Sequence, residues 1–104
     1  MFNVTYTYKV AFLPFPAMFI TAFCEVPAIY IKEVSQSIIS NLLGILEKAQ
    51  KEYKAAIIAN EPTMQTHNLN LDKTKNAVVV CCSLRFQSLV EMNTFMQKEI
   101  KNQQ

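Results

Sequence analysis

Residues 2–12 alternate without a break. Phe2, Val4, Tyr6, Tyr8, Val10 and Phe12 fall on one face, and Asn3, Thr5, Thr7, Lys9 and Ala11 on the other. A helix cannot bury one side of a stretch with this period. Its aromatic and β-branched residues instead specify a strand with one buried face. The chain is thereby committed to a sheet, and a half-apolar sheet needs a second layer to cover it. Leu13-Pro14-Phe15-Pro16 ends the strand, because proline has no N–H to give to a ladder.

Residues 17–26 read as a second strand, joined to the first as a hairpin. Pairing Val10 with Ile20 sets Tyr8 opposite Ala22 and Tyr6 opposite Cys24, so that large side chains face small ones. Tyr6 and Tyr8 are then expected to pack under a helical layer with their hydroxyls reaching its rim. The other phase of this strand carries Phe19 and Phe23 beside Thr21 and Glu25, which makes it apolar on both faces. Residues 28–31 suit either the end of the strand or the entry to a helix, and Pro27 fits both.

The period then changes. From about residue 33 to residue 60, Val34, Ile38, Leu42, Ile45, Leu46, Ala49, Tyr53 and Ala56 recur every three or four positions. Ser37, Ser40, Asn41, Gly44, Lys48 and Lys51 take the opposite side. This spacing predicts one amphipathic helix of roughly 27 residues, about 40 Å long. Asn60 is placed to take a left-handed cap, and Pro62 prevents continuation.

Residues 63–71 and 77–87 read as a second hairpin. A four-residue loop at 72–75 pairs Leu69 with Val78 and His67 with Val80, and it puts Val78, Val80, Cys82, Leu84 and Phe86 in the core. Ser88 then opens a capping box with Glu91, and Leu89, Met92, Met96 and Ile100 form the apolar stripe of a closing helix. The fold class read from this order is α+β: a single domain spanning 1–104, arranged ββα-ββα, with a four-stranded, mainly antiparallel sheet and two helices on one face.

Composition restricts function more than it reveals it. With 104 residues, 51% of them apolar, the chain can bury a core without disulfide or metal staples. Its single glycine excludes a glycine-rich phosphate loop. A net charge of +2, with Arg85 the only arginine, disfavours nucleic acid as a partner. Lys48, Lys51 and Lys54 cluster on the long helix, but Glu47 and Glu52 interrupt them. The three cysteines, Cys24, Cys81 and Cys82, form no CxxC pair and read as reduced thiols. The apolar run from Val10 to Cys24 is about 15 residues, short of the roughly 20 that span a bilayer. Pro14, Pro16 and Phe23 also argue against a cleaved signal peptide. The expected location is therefore the cytoplasm, or a virion assembled there, with no membrane partner.

No catalytic constellation assembles. The eight acidic side chains fall mostly on helix surfaces, and none is paired with another on an apolar strand face. His67 with Cys82 on its diagonal is the one nucleophile arrangement worth naming, and it lacks an orienting acid. Neither a metal site nor a cofactor site is expected. Charged residues make up 17% of the chain, against about 25% in an average soluble domain. Phe19, Phe23 and Val79 sit on the sheet face away from the helices, where an apolar group needs a cover. Gly44 lies mid-helix on the polar side with Ser40, where small residues let another backbone come close. The expectation is a non-catalytic structural or interaction protein, a homo-oligomer or a subunit of a larger assembly. Phe19, Phe23, Ser40 and Gly44 are its interface candidates. A small virion or mobile-element protein fits the size and the lysine bias. The alternatives are a small inhibitor or adaptor of a larger enzyme, and a thiol-dependent enzyme using Cys82 and His67.

Overall fold

The computed structural model describes residues 2–58, 63–68 and 75–100. Strands β1 (Thr5–Ala11) and β2 (Ala17–Pro27) form the first hairpin. A 3-10 turn, Ala28–Tyr30, leads into helix α1 (Ile31–Tyr53). Three further strands follow, β3 (Ala56–Ile57), β4 (Thr63–Asn68) and β5 (Lys75–Arg85). Helix α2 (Leu89–Phe95) follows and runs on as a wider π turn, Met96–Ile100.

The class is α+β, with an antiparallel sheet of five strands and two helices. The ββα-ββα order with four strands gives way to ββα-βββα, because α1 ends before residue 60. Lys54 adopts the left-handed conformation, φ 56°, and its N–H returns to the Ala49 carbonyl. The Ala55 N–H reaches the same oxygen at 3.1 Å. The chain is then turned onto the sheet, where Ala56 and Ile57 pair with Arg85 and Leu84. The expected cap at Asn60 lies outside the described residues.

β2 and β5 form the centre of the sheet. β1 flanks β2, while β3 and β4 lie in succession along the far side of β5. Within β2, Met18, Ile20, Ala22, Cys24 and Val26 are buried, and within β5, Val78, Val80, Cys82 and Leu84. Ile38, Leu42, Leu46 and Ala49 of α1 and Met92 and Phe95 of α2 join them in one cluster. The phase expected for β5 is therefore the one present: Val80 is fully buried while Cys81 is exposed.

Both hairpin registers differ from expectation. In the first, Val10 pairs with Met18, Tyr8 with Ile20 and Tyr6 with Ala22, two residues from the register proposed above. A slip of two leaves every side chain on its own face, so burial does not oppose it. In the second, His67 pairs with Ala77 and Met64 with Val80, a shift of three that exchanges the faces of β4. Leu69 and Leu71, on which the expected phase rested, lie outside the described residues, as does most of the 72–75 loop. α2 corrects its stripe as well. Phe95 is fully buried, edge-on to Tyr53 at 5.1 Å, whereas Leu89 is 45% exposed.

Candidate protein-interaction face

The side of the sheet away from the helices has no covering layer among the described residues. Its spine is the odd-numbered phase of β2, with Phe19 and Phe23 41% and 39% exposed. Lys9 and Ser83 flank Phe19, Thr7 and Cys81 flank Thr21, and Thr5 and Val79 flank Phe23. The two rings stand two pleats apart, about 13 Å along the strand. Between them the Thr21 hydroxyl donates to Cys81 Sγ at 3.8 Å, and the Thr7 hydroxyl to the Thr21 carbonyl at 3.4 Å. Glu25 marks one end of this face. At the other, the Arg85 guanidinium lies 5.3 Å from the centre of the Phe15 ring. The result is a band of two phenylalanines separated by Thr21, with a half-buried valine and an exposed thiol beside them and hydroxyls and single charges around them.

Ser40 and Gly44 are exposed too, but on α1's outer side, while Ile38, Leu42 and Leu46 turn toward the sheet. The four interface candidates thus occupy opposite sides of the molecule and do not form one surface. A Cβ built at Gly44 would meet nothing within 4 Å. Nothing in the monomer's own packing requires glycine there.

The thiol–imidazole arrangement does not assemble in register. Cys82 sits opposite Ile20, and His67 sits opposite Ala77, five residues further along β5. Burial, with neighbouring Cys81 adding to it, pushes the Cys82 thiol up to about 11, which opposes thiolate formation. Cys24 is buried, and that burial raises its thiol as well. Among the described residues, no group of three or more His, Cys, Asp or Glu side chains could hold a metal ion. No described helix is long and apolar enough to cross a membrane.

Two of the three clustered lysines, Lys48 and Lys51, are engaged internally. Lys48 Nζ is 2.8 Å from Glu99 Oε2, and the Tyr53 hydroxyl donates to Glu99 Oε1 at 2.9 Å. Lys51 pairs with Glu47 at 2.7 Å, one helical turn away. The Lys48 ammonium, aided by the Tyr53 hydroxyl, holds the Glu99 carboxyl below its ordinary value. This tie between α1 and the π turn was hidden in the sequence by the distance between its members. At the start of α2, Ser88 Oγ accepts from the Glu91 N–H at 3.2 Å, the expected cap. Glu91 Oε2 is shielded from solvent and has no hydrogen-bond partner.

Clefts open at the margins of the described residues. One of about 410 Å³ lies between the end of α1 and α2, lined by Glu52, Lys54, Glu91 and Lys98 among others. Two more, about 320 and 510 Å³, lie between β1 and the helical layer, and Tyr6 lines both. No protein-family model, curated protein or solved structure matches this chain.

Proposed function

We propose that this chain is a non-catalytic subunit of a protein assembly, and that the open sheet face is where it associates with another copy of itself. The observation that supports this reading is the pair Phe19 and Phe23. They are two large, phase-matched aromatics, each about two-fifths exposed, beside Val79 on a face with no cover among the described residues. A single exposed apolar residue is ordinary, whereas two phase-matched aromatics on one strand, with hydroxyls between and beside them, resemble the anchors and polar surround of an interface. Aromatic rings of this kind serve as anchors that fill pockets on a partner. The raised Cys82 thiol and its separation from His67 favour this reading over thiol chemistry.

Phe23→Asp tests it. A carboxylate at position 23 stays hydrated in the free subunit and must be desolvated in the assembly. Sedimentation should report a smaller particle, with an unchanged circular dichroism spectrum. An unchanged particle size would place the association elsewhere, with the Ser40 and Gly44 side of α1 next in order. Loss of folding would make Phe23 part of the monomer's own core and remove the argument for a partner.

A further inference from the structure

A second surface lies at the edge of the sheet, along the outer side of β1, the strand that borders the phenylalanine face. β1 is the last strand in the sheet order, and β2 is its only partner among the described residues. An edge strand presents a row of unpaired N–H and C=O groups, and proteins ordinarily blunt such edges with proline, charge, bulges or shortness. β1 uses few of these devices. It runs for seven residues, Thr5–Ala11, in unbroken register with β2, contains no proline and carries one charge, Lys9.

Its inner side is also incompletely covered. Tyr6, Tyr8 and Val10 share the core phase, yet all three are only half-buried, whereas Ile20 and Ala22 one strand inward are fully buried. The two clefts beneath β1 account for the difference. One runs past Val4 and Tyr6 toward Val34 and Asn41, the other past Tyr6 and Tyr8 toward Met96 and Ile100. A strand added at this edge would satisfy the free backbone groups and lay every second side chain against the clefts, the usual division between affinity and specificity in strand addition.

We propose that the free edge of β1 is a strand-pairing site whose occupant is β1 of a second copy, joined antiparallel about a two-fold axis normal to the sheet. Such an axis keeps the phase, so the aromatic side of one β1 continues the aromatic side of the other and all four helices share one face. Placing Tyr8 at the axis pairs all seven residues. Thr5 meets Ala11, Tyr6 meets Val10 and Thr7 meets Lys9 of the other copy. The strand's one charge then faces a hydroxyl. A shift of one position that set Lys9 against Lys9 would shorten the overlap and oppose like charges.

Hydrogen exchange and sedimentation of the intact chain test this together. Raising the protein from about 1 µM to about 100 µM should slow exchange of alternate β1 amides by about tenfold or more. The β5 amides, inside the sheet, serve as the internal check of folding. Thr7→Lys sets one ammonium group against the partner's Lys9 in each of two symmetry-related pairs and should abolish the concentration-dependent protection at low salt, with partial recovery at high salt. Thr7→Glu, which faces the same lysine with the opposite charge, should keep it. Phe23→Asp should leave β1 protection intact, which separates the edge from the open face. Alternate β1 amides that exchange fast at every concentration would overturn the proposal. So would a Thr7→Lys chain with unchanged mass and protection, or β1 protection gained only from a foreign extended peptide while the chain stays monomeric.

Discussion

Phe95 is the side chain on which the second half of the molecule depends. It is fully buried, edge-on to Tyr53 and tilted against Phe86 with ring centres 5.5 Å apart, so it joins the end of α1, the residue just after β5 and α2 at one point. Phe95→Ala should cost about 3–5 kcal/mol, as buried aromatics do, whereas half-buried Tyr8→Ala should cost about 1–3 kcal/mol. Urea unfolding of the two variants measures both, and equal losses would contradict the layer assignment. Glu99 carries a pH signature. Its carboxyl is held below its ordinary value of 4.5 by the hydrogen bond from Lys48 first, and by the Tyr53 hydroxyl after the opposing effect of burial. Ionised Glu99 therefore favours the folded state. That contribution is complete above the unfolded value and is lost as pH falls through the lowered folded one. Urea midpoints measured from pH 7 to pH 3 should decline, and Glu99→Gln should make the decline shallower. A Glu99→Gln profile parallel to that of the unmodified chain would show that the tie carries no linkage.

At the scale of elements, period proved more legible than pairing. Alternation placed β1, β2 and β5 and the buried phase of each, because a face is defined by one strand's own residues. Register is defined by two strands and a turn. The slip of two at Tyr8 and Ile20 keeps all faces and so leaves no mark on the hydrophobic pattern. Thr63–Asn68 has only Met64 as an apolar residue, so nothing within β4 itself fixed its phase. The end of α1 was hidden because apolar spacing continues through Ala55, Ala56 and Ile57, and because a lysine, not a glycine, takes the left-handed position. Lys54 meets a steric cost there that glycine does not. Lys54→Gly should therefore raise stability by about 1 kcal/mol, read as a higher urea midpoint. A lower midpoint would mean that the lysine side chain contributes more than its backbone strain removes.

Among the described residues, the molecule has a helix-covered face, a bare face and a long free edge at β1. The bare face was readable from the sequence because Phe19 and Phe23 share a phase opposite to the buried residues of β2. The edge was not, since strand order depends on which strand reaches β2 from the far end of the chain, and here it is β5. The internal ties of Lys48, Glu99 and Tyr53 were equally out of reach, because no periodicity links residues so far apart in the chain. On the two proposals above, the bare face and the free edge would each be completed by another copy of the chain. The central claim is therefore that this chain works as an assembly of its own copies. The native mass of the unmodified chain at micromolar concentration tests it most directly. Sedimentation equilibrium should return a multiple of 11.9 kDa that falls on dilution. A mass of 11.9 kDa that does not change with concentration would contradict the account.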